Sequence, residues 1–109
     1  MSDWVKVVAA NELSAGSMKK VEVDEEDVVV ANVGGEVLAL SDICSHQYVN
    51  LSDGWIDSET VECPQHGSKF SLRTGEVLNP PATQPVATYD VKIEDGHIYL
   101  KGPKEPELT

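Results

Sequence analysis

Apolar and polar residues alternate over long stretches at both ends of the chain, a pattern typical of strands with one buried face. The clearest stretch covers residues 86–100, where alternation on both sides of Asp95-Gly96 predicts two strands joined by a two-residue hairpin turn. A second hairpin is predicted at Gly34-Gly35. Further strands are predicted over residues 4–8, 18–23, 27–33 and 36–40, with a turn or one helical loop over residues 9–17. Together these elements predict an all-β fold, a small antiparallel β-sandwich or barrel.

The middle of the chain, residues 41–82, has weak periodicity and many turn residues. A structureless stretch of that length is unusual in a compact domain. We therefore interpret it as a subdomain inserted into the β-scaffold, with short strands over residues 60–63 and 68–72. The 109 residues form one domain. Its predicted parts are a base scaffold (residues 1–40 and 83–102), the inserted subdomain (41–82) and a frayed tail (103–109).

Both cysteines and two of the three histidines lie in two short segments, Cys44-Ser45-His46 and Cys63-Pro64-Gln65-His66. Each segment offers one thiolate and one imidazole, whereas a zinc finger usually takes two cysteines from one loop and two histidines from another. Mixed loops suit a binuclear iron centre with two cysteines on one iron and two histidines on the other, the ligand set of a Rieske [2Fe–2S] cluster. Coordination bonds are then expected to replace a hydrophobic core in the inserted subdomain.

The residues around these segments resemble the Rieske family. Cys-x-His, a spacer of sixteen residues and Cys-Pro-x-His-Gly form its signature, and the resemblance extends from residue 4 to residue 101. It is strongest to the small ferredoxins of bacterial aromatic-ring dioxygenases of the biphenyl and carbazole type. Outside the ligand segments it is carried by Ser68-Lys69-Phe70, by the turn Arg73-Thr74-Gly75, and by Asn79-Pro80-Pro81-Ala82, which resembles the loop that covers the cluster.

The resemblance implies a one-electron carrier with one [2Fe–2S] cluster per chain. Its implied partners are an NAD(P)H-dependent flavin reductase, which supplies electrons, and the terminal oxygenase, which receives them through transient docking. Cys44 and Cys63 are implied to bind the inner iron, and His46 and His66 the outer, solvent-facing iron. The residues expected around the cluster are Gly67, Ser68, Pro80 and Pro81, with an exposed rim of Gln47, Tyr48 and Gln65.

Two differences from high-potential respiratory Rieske proteins bear on the reduction potential. Those proteins carry a disulfide between the ligand loops, at places taken here by Gln65 and by Val49 or a near neighbour. They also carry a serine and a tyrosine that donate hydrogen bonds to cluster sulfur. Ser68 matches the serine, but Phe70 stands at the tyrosine position and cannot donate. We therefore expect a potential in the lower part of the Rieske range of ~−150 to +300 mV.

The net charge of −11 is unevenly distributed. Residues 21–68 hold eleven acidic residues and no lysine or arginine, whereas acids and bases balance in the rest of the chain. Such a field steers basic partner surfaces and disfavours nucleic acid, whose phosphates require lysine and arginine. No apolar run approaches the ~20 residues that cross a bilayer, and no signal peptide is recognisable. We expect a cytoplasmic monomer without disulfides.

An electron carrier is favoured over an enzyme, because only His97 remains for a mononuclear iron site and no glycine-rich dinucleotide fingerprint is present. His97 itself is interpreted as a surface residue. Three alternatives remain: the small Rieske-like subunit of another redox system such as nitrite reductase, a zinc-binding structural module, and a redox sensor. Lys69 and Arg73, the only bases close to the ligand segments, are either salt-bridged surface groups or a local offset to the negative field.

Overall fold

The computed structural model describes residues 4–23, 25–42, 50–64, 67–79 and 85–104. Within these ranges the chain forms ten strands and two single-turn 3₁₀-helices, with no α-helix, so the predicted all-β class is confirmed. No helix in these ranges has the length and apolar character needed to span a membrane. The strands are β1 (Val5–Ala9), β2 (Met18–Val23), β3 (Glu26–Val33), β4 (Glu36–Ser41), β5 (Trp55–Asp57), β6 (Thr60–Glu62), β7 (Lys69–Ser71), β8 (Val77–Asn79), β9 (Thr88–Glu94) and β10 (His97–Lys104), and the 3₁₀-helices are Ala10–Glu12 and Leu51–Asp53.

Six strands form one antiparallel sheet in the order β1-β10-β9-β4-β3-β2. The outer strands β1 and β2 contact each other, so the sheet nearly closes into a barrel. Both predicted hairpin turns are confirmed. Gly34 and Gly35 join β3 to β4 with φ of +61° and +98°, and Asp95 and Gly96 join β9 to β10 with φ of +52° and +77°. Two successive positive φ angles match the twist of the flanking strands, which is why glycine and aspartate occupy these turns.

The predicted insertion forms a second antiparallel sheet, in the order β5-β6-β7-β8. Strands β6 and β7 were predicted from the sequence, whereas β5 and β8 were not. The chain leaves the six-stranded sheet after β4 and re-enters it at β9, and Leu40 and Thr88 of these two strands are register partners. The second sheet is therefore inserted between neighbouring points of the first.

Two apolar clusters stabilise the molecule. One lies within the six-stranded sheet, and the other joins the two sheets. Strand β3 contributes to both clusters. Val28 and Val30 are fully buried in the cluster within the six-stranded sheet, and Val29 and Ala31 are fully buried in the cluster that joins the two sheets. The members of the second cluster from the insertion include Leu51, Val61, Cys63, Phe70 and Leu72. The expectation that coordination bonds replace a hydrophobic core in residues 41–82 is therefore wrong.

The end of β10 also differs from the prediction. The strand continues to Lys104, which pairs with Thr88 after a register shift that follows Lys101. The prediction of a frayed tail from residue 103 is therefore wrong for residues 103 and 104, because backbone pairing to β9 extends past Gly102. Residues 105–109 lie outside the described ranges.

Candidate metal centre

Of the four predicted ligands, the structure describes Cys63. Cys63 follows β6 directly and is only 1% exposed. It belongs to the apolar cluster that joins the two sheets. The described ranges contain no group of three or more His, Cys, Asp or Glu side chains that could hold a metal ion, since three of the predicted ligands fall outside them. The full ligand set therefore stays a prediction. Outside the described residues lie Cys44, His46 and His66, together with Gln47, Tyr48, Gln65, Pro80 and Pro81.

The second ligand segment occupies the connection between β6 and β7, and its ends are closed by a hydrogen bond. The backbone N–H of Cys63 donates to the carbonyl oxygen of Ser68 at 2.7 Å. Gly67 has φ of +75°, a conformation that L side chains rarely adopt, and Ser68 is fully buried. A Cβ on Gly67 would approach the Glu62 carboxylate only to 3.8 Å. The described contacts thus explain this glycine by its backbone conformation, and a close approach to cluster sulfur stays a prediction.

The first ligand segment, residues 43–49, is flanked by a fully buried carboxylate. The Asp42 carboxylate accepts hydrogen bonds from Nδ2 of Asn50 at 2.6 Å, from the backbone N–H of Ser52 at 2.7 Å, and from the Ser52 hydroxyl at 2.9 Å. The Asp42 backbone also takes part, because its carbonyl accepts from the N–H of Leu51 at 2.6 Å. The two ends of the segment that carries Cys44 are therefore held together by one residue.

Gly54 brings the chain that follows this segment against the second one. A Cβ at this position would lie deep inside van der Waals distance of the Glu62 carbonyl oxygen and 3.1 Å from Cδ of Pro64. Its φ of −95° is open to other residues, so the close approach explains why glycine is needed here. Because Glu62 and Pro64 flank Cys63, Gly54 brings the chain that follows the first ligand segment into contact with the second ligand segment.

The chain that follows the predicted covering loop is held by a backbone hydrogen bond. The N–H of Val86 donates to the carbonyl of Gly75 at 2.9 Å. Gly75 is buried with φ of +78°, and a Cβ there would overlap the carbonyl oxygen of Val86. The chain therefore has a fixed position at Val86, shortly after the segment of residues 80–84 that includes the two prolines of that loop.

Arg73 connects the two sheets by ion pairs. Its guanidinium donates to both carboxylate oxygens of Glu36 at 2.8 and 2.9 Å, and its Nε donates to Glu59 at 3.0 Å. The hydrogen bonds from Arg73 lower the pKa of the Glu36 and Glu59 carboxyls below 4.5, their ordinary value, and these carboxylates in turn raise the pKa of the guanidinium. Glu59 follows β5 at the end of β6 opposite to Cys63. Arg73 is therefore a salt-bridged group away from the ligand segments.

Exposed acidic and aromatic side chains lie at the ligand end of the four-stranded sheet. Trp55 is 59% exposed and pairs in register with Glu62, the residue before Cys63. Asp53, two residues before Trp55, is also exposed, whereas the exposed Asp57 pairs with Thr60 at the other end of β5. This tryptophan therefore lies on the rim of the sheet.

Trp4 and His97 lie on the six-stranded sheet. Trp4 is partly buried, with the Lys92 ammonium 4.8 Å from its ring centroid. His97 contacts the carbonyl of Asp95 through Nδ1 at 3.2 Å, within its own hairpin. The contact of His97 is structural, in agreement with its interpretation from the sequence.

Sequence reasoning missed three residues that shape the site: Asp42, Gly54 and Gly75. Asp42 carried a signal, because an acidic residue between an apolar strand and a ligand motif is followed by short polar side chains at positions 50 and 52. Gly54 and Gly75 carried a weaker signal in the sequence, because each stands beside a segment that returns toward a predicted ligand loop. None of the three has a chemical role that composition alone would indicate.

A [2Fe–2S] cluster fits the residues that the structure describes. The thiol of Cys63 is removed from solvent beside the buried Ser68, in a loop whose positive φ at Gly67 folds the chain back within five residues. Soft thiolate ligands suit iron–sulfur clusters, and exclusion of water protects them. The segment expected to supply Cys44 and His46 is flanked by Asp42 and Asn50, which are joined by a hydrogen bond.

Comparison with known proteins agrees with this site. A family model described as Rieske [2Fe-2S] domain matches residues 3–90. Ferredoxin CarAc of Metapseudomonas resinovorans is 34% identical over 103 residues, which are 94% of this chain and 96% of that protein. The 3-phenylpropionate/cinnamic acid dioxygenase ferredoxin subunit of Photorhabdus laumondii is 43% identical over 95 residues, 86% of this chain and 90% of that protein.

A solved structure supports the same conclusion. The complex of reduced oxygenase and oxidized ferredoxin in carbazole 1,9a-dioxygenase contains a chain that matches with a TM-score of 0.89 at 33% identity, over 98% of this chain and 100% of the matched one. The likeness therefore covers the sequence, the fold and almost the whole length. The chain belongs to the Rieske [2Fe–2S] domain family and is similar throughout to the ferredoxin components of aromatic-ring dioxygenases.

Proposed function

We propose that this protein is a one-electron carrier that takes electrons from an NAD(P)H-dependent flavin reductase and passes them to the terminal oxygenase of an aromatic-ring dioxygenase. The observation that carries the proposal is the buried Cys63, held in a closed loop at the end of β6. Two relatives named as ferredoxins and a similar chain solved in complex with an oxygenase support this role.

One cluster per chain is proposed, with Cys44 and Cys63 on one iron and His46 and His66 on the other. When bound, such a cluster accepts one electron at a higher potential than an all-cysteine cluster, because two neutral imidazoles replace two charged thiolates. The protein's contribution is to hold the ligand segments in place and to exclude water from the cysteine side. The buried positions of Cys63 and Ser68 support this division between a dry inner side and an exposed histidine side.

Docking of the redox partners is proposed at the ligand end of the four-stranded sheet. The exposed Trp55 offers apolar area there, and Asp53 offers negative charge. Large aromatic side chains contribute strongly to protein interfaces, and charges at the rim mainly raise the association rate. The proposed partner surface is accordingly an apolar patch surrounded by basic residues.

No catalytic residue is proposed in this chain. A groove of about 240 Å³ lies beside Arg73 between β4 and β9, which is smaller than the roughly 300–1,000 Å³ of most ligand pockets. Its lining includes Glu36 and Tyr89 but not Cys63. The groove therefore offers no route for a substrate to the proposed cluster.

Electron paramagnetic resonance of the dithionite-reduced protein tests the proposal. A rhombic signal with an average g below that of all-cysteine clusters is expected, because histidine ligation changes the electronic structure of the reduced iron pair. Iron and acid-labile sulfide should accompany it, each at two per chain. A protein that contains zinc, lacks sulfide and stays silent after reconstitution with iron and sulfide would overturn the proposal in favour of a zinc-binding module.

Ligand variants test the assignment residue by residue. Cys44→Ser, Cys63→Ser, His46→Ala and His66→Ala should each abolish the cluster signal. His97→Ala is the matched control, because the His97 imidazole contacts the Asp95 carbonyl of its own hairpin, and it should keep the signal. An unchanged spectrum in any of the four ligand variants would contradict that ligand.

A further inference from the structure

The carboxylate of Asp42 lies where it can control the geometry of the first ligand segment. It is fully buried, and it accepts three hydrogen bonds from two residues located eight and ten positions further along the chain. Hydrogen bonds to an ionised acceptor are about twice as strong as those between neutral groups. The segment between Asp42 and Asn50 is therefore a loop whose ends are fixed by a charged group.

The same residue ties this loop to the base sheet. The backbone N–H of Asp42 donates to the carbonyl of Asp27 in β3 at 3.0 Å, and the Asp42 carbonyl accepts from the N–H of Leu51 at 2.6 Å. Leu51 is fully buried in the cluster that joins the sheets. Movement of the loop ends would thus require breaking contacts to both sheets.

Burial of a carboxylate costs free energy, because a charge removed from water must be compensated by its partners. Here the Asn50 amide, the Ser52 hydroxyl and the Ser52 backbone N–H supply that compensation. The arrangement leaves a fixed negative charge two residues before Cys44. A negative charge near a redox centre makes the addition of an electron less favourable.

We propose that Asp42 is a positioning residue for the cluster: its carboxylate fixes the residues on either side of the segment that carries Cys44 and His46, and its charge lowers the reduction potential. This inference rests on the proposed function, because it presumes that the segment binds the cluster. Asp42 itself binds no iron in this proposal. Ser52 and Asn50 act only as its donors.

The test compares cluster retention and midpoint potential in two single variants of the loaded protein, Asp42→Asn and Ser52→Ala, with the wild type. Loss of residues that orient ligands typically weakens metal binding by about 10-fold or more. Asp42→Asn should therefore release iron to an iron(II) chelator about 10-fold faster than the wild type, and its midpoint potential should rise. Ser52→Ala removes one donor but keeps the charge, so it should also release iron faster while its potential does not rise.

Two controls separate this role from a general effect of mutation. Asp53→Asn removes an exposed charge from the neighbouring helical turn, so it should retain the cluster as the wild type does. Ser52→Thr keeps the hydroxyl and should restore slow release. If Asp42→Asn does not fold, Ser52→Ala and Asn50→Ala decide the question by their release rates.

Wild-type release rates in both Asp42→Asn and Ser52→Ala would overturn the proposal, as would equally fast release in Asp53→Asn. An unchanged potential in Asp42→Asn would overturn the electrostatic part. Failure of the proposed function is distinguishable, because the wild-type protein would then show no Rieske signal before any variant is made.

Discussion

Gly54→Ala tests whether the site is supported by contact between the second ligand segment and the segment of residues 50–54, which follows the first one. The added Cβ would overlap the Glu62 carbonyl oxygen and lie 3.0 Å from its carbonyl carbon and 3.1 Å from Cδ of Pro64. Two of these three atoms belong to the backbone, so no side-chain rotation relieves the overlap, and the segments must separate by about 1 Å or more. Overpacking costs typically about 1–3 kcal/mol, and this immobile contact should cost about 3 kcal/mol, or about 12 °C in Tm.

Thermal unfolding and the visible absorbance of the cluster together measure this effect. Gly96→Ala is the control, because Gly96 has φ of +77° but nothing within 4 Å of the added Cβ. It should cost roughly 1–2 kcal/mol through backbone strain alone and should keep the cluster. Gly54→Ala should lose more stability and also lose its cluster faster. A Gly54→Ala protein as stable as the control, with wild-type cluster retention, would refute the idea that this close approach holds the segments together.

The remaining predictions concern charge, pH and redox potential. The variant Asp53→Lys should slow reduction of the oxygenase at low salt and much less at high salt, measured by stopped-flow absorbance. Glu59→Lys should change these rates little, since Glu59 is paired with Arg73 at the opposite end of β6, and equal slowing by both variants would contradict docking near Cys63. Because Arg73 lowers the pKa of both partner carboxyls below 4.5, its stabilisation is complete above that pH and is lost as pH falls through the lowered values. Arg73→Met should therefore lower Tm at pH 7 and converge with the wild type in acid, and a constant difference down to pH 2 would contradict this linkage. Phe70→Tyr should raise the midpoint potential by adding a hydrogen-bond donor next to the buried Cys63, and a redox titration that finds no rise would show that this position does not control the potential.

The sequence predicted the six-stranded sheet well because its signals are local. Two-residue turns at Gly34-Gly35 and Asp95-Gly96 need positive φ, and the alternation on either side of each turn determines the register. The strands of the insertion are three residues long, which is too short for a period of two to be recognised. The strands β6 and β7 were predicted because they flank the second ligand segment, whereas β5 and β8 were missed.

The supporting residues of the site could not be predicted because their roles depend on distant partners. The burial of Asp42 is compensated by donors at Asn50 and Ser52, and the need for glycine at position 54 arises from β6. The apolar core of the insertion was missed for a related reason, since its members are spaced irregularly and meet only when the second sheet packs against β3. The ligand motif was visible in the sequence because its chemistry depends on residue type and spacing.

The register between β4 and β9 has a consequence for how such a protein can be built. Because Leu40 and Thr88 are direct partners, everything between them departs from the sheet and returns to it at one place, about 5 Å apart. A short hairpin turn could close that gap without altering the order of the six strands. In this sense the chain between Leu40 and Thr88 is a unit that could be transferred to another protein. The acceptor would be an antiparallel sheet with two adjacent strand ends and an apolar surface like that of Val29 and Leu40.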